Sequence, residues 1–120
     1  VNLDLTTLKF PPAAIASILH RLSGVVVFLF IPLLLWLLQL SLDTKGFSNL
    51  QVVFNHPFTK LILWAVLAAI IYHLIAGIRH LLMDMHIGDG KESGKISALI
   101  VMWLSLIFIF AIGGWLWLVV

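Results

Sequence analysis

Long apolar runs separated by short polar segments set the pattern of this chain. Positions 22–42, 61–78 and 96–120 contain no Asp, Glu, Lys or Arg. Each is close to the ~20 residues that a helix needs to cross about 30 Å of hydrocarbon. The pattern predicts an all-α integral membrane protein with three spans, at about 18–42, 58–85 and 96–119, forming a single domain over 1–120. The first helix is expected to begin near Ala13, because Pro11 and Pro12 suit a helix start, and to bend at Pro32. Between the first two spans, Asp43, Lys45, Gly46, Asn49, Asn55 and Pro57 read as a loop, and Phe47, Val52, Val53 and Phe54 lay part of it on the membrane surface. The segment IGDGKESGK reads as an exposed connection, and Trp115 and Trp117 fit an interfacial aromatic belt.

Composition agrees with a bilayer environment. The chain is 62% hydrophobic and 10% charged, with a mean hydropathy of +1.18. A soluble domain is about 45–50% apolar and about 25% charged. There is no cysteine, so disulfides, thiolate metal sites and iron–sulfur clusters held by this chain are excluded. The first apolar stretch is too long for a cleaved signal peptide and lacks a basic lead. A net charge of +2 gives no case for nucleic acid. Three crossings put Lys9, Arg21, Arg79, Lys91 and Lys95 on one side and Lys45 and Lys60 on the other. That imbalance predicts a cytoplasmic N-terminus and a periplasmic C-terminus.

The polar residues inside these spans carry the chemistry. His73, Gly77, His80 and Asp84 share one face of the second span, and Ser17, His20, Arg21 and Gly24 share one face of the first. Both clusters approach the cytoplasmic surface, where a polar-rimmed pocket is expected between them. Titratable groups within a bilayer are costly and point to function. Imidazole is an axial ligand for haem iron, glycine admits a flat macrocycle close to the backbone, and arginine grips carboxylates such as haem propionates. Ser17 can donate to a quinone carbonyl. The structural alternative for His73 is a bond to a backbone carbonyl on a neighbouring helix. Arg79 is expected to snorkel to lipid phosphates, Asp84 to pair with a Lys or Arg at the interface, and Ser23, Ser97 and Ser105 to serve packing. His56 has no evident partner. His73 and His80 lie about 10 Å apart along one helix, so they cannot both ligate one iron. The second ligand is then His20, under strain, or a residue of another chain, which is favoured because three short helices leave much of a haem uncovered.

The sequences SILHRLSG and YHLIAGIRHLLMD, with the lead NLDLTTLKFPPAAIASILHR, resemble the cytochrome b membrane-anchor subunit of succinate dehydrogenase, respiratory Complex II. The likeness runs from Val1 to about Met85; the third span matches in character only. The resemblance implies a membrane anchor in a complex with a flavoprotein subunit, an iron–sulfur subunit and a second hydrophobic anchor in the bacterial inner membrane. It implies haem b shared with the second anchor, with His73 as axial iron ligand and His20 and Arg21 near the propionates. It implies a ubiquinone site lined by Ser17, Arg21, Phe10 and Ile18. Gly24, Gly77 and His80 are expected haem contacts from their positions on the two faces. A haem and quinone anchor of a fumarate reductase or other respiratory complex fits the same residues. A non-catalytic transport subunit fits less well, because the polar groups gather near one surface instead of at midplane on several spans.

Overall fold

A computed structural model describes residues 11–120 of the chain; Lys9 and Phe10 lie outside the described residues. The elements are α1 (Pro12–Leu40), α2 (Thr44–Phe54), α3 (Pro57–Asp84) and α4 (Lys91–Leu118). The three long helices are each apolar enough to cross a membrane. Pro11 supplies an extended N-cap for α1, and its carbonyl accepts from the N–H groups of Ala14 and Ile15. Pro12 occupies the first turn, where its missing N–H costs nothing. The helix runs unbroken through Pro32 to Leu40.

The stretch expected to be a loop contains an 11-residue helix, α2. The Asp43 carboxylate accepts from the Gly46 N–H and caps it. His56, which had no evident partner, caps α3: its Nδ1 accepts from the Phe58 N–H at 3.1 Å, one residue beyond Pro57. At the far end of α3, the Ile87 N–H donates to the Leu82 carbonyl at 2.9 Å and the His86 N–H to the Met83 carbonyl at 3.0 Å. That pair of bonds is a Schellman stop, with His86 at φ 61° in the position glycine usually takes.

α3 lies between α1 and α4, and α1 also touches α4. Small residues make the close contacts: Ala16 and Ser23 of α1, Ala76 of α3, and Gly94, Ala98, Ser105 and Gly113 of α4 are buried. Membrane helices pack this way because lipid is as apolar as Leu, so association needs close backbone approach. The Trp64 indole N–H donates to the Ile109 carbonyl at 2.8 Å and ties α3 to α4. Large apolar side chains such as Phe28, Leu29 and Leu74 face outward. Only 6% of the most apolar window of α1 is buried, against 22% for α4, so α1 offers most of its surface to lipid or to other chains.

Arg79 does not snorkel. It is 9% exposed, its Nε donates to Ser97 Oγ at 3.0 Å, and its Nη2 donates to the Gly94 carbonyl at 3.2 Å. Ser97 is therefore a hydrogen-bond partner as well as a packing residue. The helical register of α3 turns Arg79 toward α4 instead of toward the headgroups. Ser97→Ala is expected to cost about 1–3 kcal/mol, because it leaves a buried guanidinium short of an acceptor. Arg79→Met removes the need along with the charge and should cost less. Thermal unfolding of the purified membrane complex gives the order of the two effects.

Candidate functional site

The polar stripe of α3 meets α1 directly. Tyr72 donates its hydroxyl to the Ala16 carbonyl at 2.8 Å, which sets the height of one helix against the other. One residue on, the His73 ring lies against α1. Its Nδ1 is 3.2 Å from the His20 carbonyl and 3.2 Å from Ser23 Oγ. The Ser23 hydroxyl itself donates to the His20 carbonyl at 2.7 Å. The bond expected of a structural histidine is thus present, but it occupies one ring nitrogen only. Nε2 has no hydrogen bond among the described residues. Ser23, expected to serve packing, is a polar partner of the ring; a helical serine turns toward a carbonyl three or four residues back, and this one shares that carbonyl with His73.

Three imidazoles form a pile between the helices. The rings of His20 and His73 are 4.4 Å apart and 12° from parallel, and those of His20 and His80 are 5.9 Å apart and 23° from parallel. His80 Nε2 lies 3.5 Å from the Asp84 carboxylate, where both side chains are more than half exposed. Among the described residues Asp84 thus meets His80, one turn away on the same helix, instead of the Lys or Arg expected at the interface. His73, Gly77 and His80 share one face, as the spacing predicts. Gly24 matters through contact: a Cβ there would sit 3.0 Å from His73 Cε1. A Cβ on Gly77 would be 3.4 Å from His20 Nε2, an ordinary contact. In this structure the glycines admit imidazole rings from the opposite helix.

The predicted face of α1 divides in two. His20 and Gly24 point at α3, with Ser23 beside them. Ser17 is half-buried, while Ile18 and Arg21 are exposed. Successive residues are about 100° apart around a helix, so Arg21 is turned outward from His20. The ring pile fills the space between the two clusters where a pocket is expected; Arg21 faces out of the three-helix unit, and Ser17, about 20° around α1 from Gly24, lies half-buried at the edge of that outward face. Phe10, the remaining residue expected there, lies outside the described residues.

The chain as a whole is similar to known proteins. Residues 1–112 match the family model described as succinate dehydrogenase/fumarate reductase transmembrane subunit. The chain is 44% identical over 119 residues to the succinate dehydrogenase cytochrome b556 subunit of Coxiella burnetii, covering 98% of this chain and 95% of that one. It is 35% identical over 103 residues to the cytochrome b556 subunit of Rickettsia felis, covering 86% and 81% of the two chains. The succinate dehydrogenase cytochrome b560 subunit of Porphyra purpurea is 35% identical over 98 residues, with 78% and 77% covered. An all-helical chain with three bilayer-length helices, matched along nearly its whole length, belongs to the succinate dehydrogenase/fumarate reductase transmembrane subunit family.

Proposed function

We propose that this chain anchors a succinate:ubiquinone oxidoreductase in the bacterial inner membrane, holds haem b together with a second hydrophobic anchor subunit, and forms one wall of the ubiquinone-reduction site. The observation that carries the reading is His73: an imidazole deep in a membrane helix, pinned through Nδ1, with Nε2 left over. Metal-bound histidines characteristically spend their other ring nitrogen on a carbonyl or hydroxyl in this way. The donor set therefore fits a haem, with His73 as axial ligand. His20, Gly24, Gly77 and His80 lie around that ring, and Arg21 is the cation available to a propionate. When bound there, haem b supplies a one-electron carrier inside the membrane.

A residue of the second anchor subunit would complete the hold on the haem. His20 would not, because its ring lies face to face with that of His73 and the two do not present nitrogens to a common ion. Electrons reach the chain from the iron–sulfur subunit, which receives them from the flavoprotein, on the cytoplasmic side. Among the exposed basic residues described, Arg21, Lys91 and Lys95 lie at that end and Lys45 at the other, which supports the orientation even with Arg79 buried.

At the quinone, Ser17 donates a hydrogen bond to one carbonyl oxygen. Arg21, a turn further on, stabilises the negative charge that develops on that oxygen as electrons arrive. Ile18 and Phe10 give the apolar wall. With Arg21 exposed and Ser17 half-buried beside it, neighbouring subunits close the site. Ser17→Ala and Arg21→Ala test this in the assembled complex. Each is expected to lower quinone reduction by about 10- to 1,000-fold, the usual loss of one donor to a developing oxyanion. Succinate oxidation by a soluble dye should stay within about twofold, since the flavin and clusters are untouched. If both assays fall together, the substitutions have detached the soluble subunits and the assignment fails.

A further inference from the structure

We infer that Ser23 is a positioning residue for His73: its hydroxyl fixes which ring nitrogen carries the proton and strengthens the other as a donor to haem iron. This role rests on the haem reading above and goes beyond it by naming a residue outside those assigned to haem or quinone.

Three contacts fix where the protons lie. Ser23 Oγ, the His20 carbonyl oxygen and His73 Nδ1 form a triangle with edges of 2.7, 3.2 and 3.2 Å. The carbonyl can only accept, and the hydroxyl has one proton to give. Suppose Nδ1 carries no proton. The hydroxyl then serves either the carbonyl or the ring, and the ring's lone pair faces the carbonyl's lone pairs across 3.2 Å. Suppose instead that Nδ1 is protonated. The hydroxyl proton goes along the short edge to the carbonyl, and the ring proton is shared between Oγ and the carbonyl oxygen. Every edge is then attractive. The second arrangement puts the lone pair on Nε2, the nitrogen without a partner among the described residues.

Ser23 adds to what the His20 carbonyl does alone. That carbonyl already accepts from the Ser23 hydroxyl, so Oγ is the second acceptor for the ring proton. Ser23 is 8% exposed, and a buried hydrogen bond is stronger than a solvated one. The back-bond to His20 also stops the hydroxyl from rotating away. An acceptor on Nδ1–H pushes electron density toward Nε2. A more basic Nε2 favours ferric over ferrous iron, so Ser23 holds the haem potential down.

The test is a redox titration of haem b in the whole purified complex, parent against Ser23→Ala and Ser23→Thr, with haem content measured against flavin. Ser23→Ala should keep haem and raise the reduced-to-oxidised ratio at a fixed potential by about three- to tenfold. A tenfold change is about 59 mV for one electron. The low-spin ferric electron paramagnetic resonance signal should shift with it, and Ser23→Thr should restore both. Loss of haem in Ser23→Ala that Ser23→Thr restores also supports the inference, since only the hydroxyl distinguishes those variants in the needed sense. An unchanged potential in haem-replete Ser23→Ala overturns it. So does equal loss of haem in both variants, which would make the position one of volume alone. A parent complex with no b-type haem spectrum is a different failure: the haem reading itself then falls.

Discussion

His73→Ala is expected to strip haem b from the complex while leaving the helices inserted and the soluble subunits attached. The reduced-minus-oxidised spectrum should lose its b-type bands, with the haem-to-flavin ratio down about tenfold or more. Two magnitudes favour so clean an outcome. Metal–ligand loss removes the main attachment, whereas the packing loss is small. The ring gives up its bonds near Nδ1 and one face of the pile, about 1 kcal/mol for each hydrogen bond. The tie between Tyr72 and the Ala16 carbonyl remains to hold α1 against α3. Ser23 and the His20 carbonyl keep each other, at 2.7 Å, so no buried polar atom is orphaned. Retention of most of the haem would mean that the iron is held elsewhere, and the electron-carrier role would pass from this chain to its neighbours. Loss of the whole complex from the membrane would instead make His73 a structural histidine.

The sequence makes the three long helices legible because 18 or more apolar residues in a row have few alternatives. The shared face of His73, Gly77 and His80 follows from helical period alone, and the structure keeps it. What sequence could not supply was rotation. Arg79 lies two residues beyond Gly77 on the same helix, and whether it reaches lipid or α4 depends on where α4 docks. The same ambiguity divided the α1 stripe, since Arg21 lies within reach of His20 in period but is exposed, while Ser17 is half-buried. Ser23 was passed over because serine is common at membrane helix contacts, and no local signal marks the one that meets an imidazole 50 residues away.

The missed α2 had a signal. Asp43 three residues before Gly46 is an N-cap spacing, and Phe47, Leu50 and Phe54 recur at helical intervals. Reading Lys45, Gly46 and Asn49 as breakers outweighed it. His56 before Pro57 was likewise a cap in plain view, a polar side chain ahead of a first-turn proline. Both omissions lie at the end of the molecule away from the imidazole pile, so they left the site unaffected. At the other end, the two polar clusters meet as their spacing predicts, but imidazole rings fill the space between them, a detail of ring orientation that helical period does not carry. The first helix is left mostly uncovered, in keeping with the expectation that three short helices do not enclose a site alone.

Gly24→Val should nearly match His73→Ala in its effect on haem, and Gly77→Ala should not. A Cβ at Gly24 would stand 3.0 Å from His73 Cε1 and 3.4 Å from Nδ1. The ring cannot yield by rotating freely, because Nδ1 is tied to the His20 carbonyl and Ser23 on the same helix. Valine adds two further carbons, so either the ring leaves its acceptors or α1 and α3 move apart. Both outcomes misplace Nε2, and misplaced ligands lose about 10- to 100-fold in metal affinity. Gly24→Ala, with a single methyl, should fall between parent and valine. At Gly77 the nearest atom is His20 Nε2 at 3.4 Å, an ordinary van der Waals contact, so Gly77→Ala is expected to retain haem within about twofold of the parent. Haem-to-flavin ratios across the three variants measure this. Should Gly77→Ala prove as damaging as Gly24→Val, the glycines serve the close approach of a flat macrocycle to both helices, and the spacing between α1 and His73 is not what sets the ligand in place.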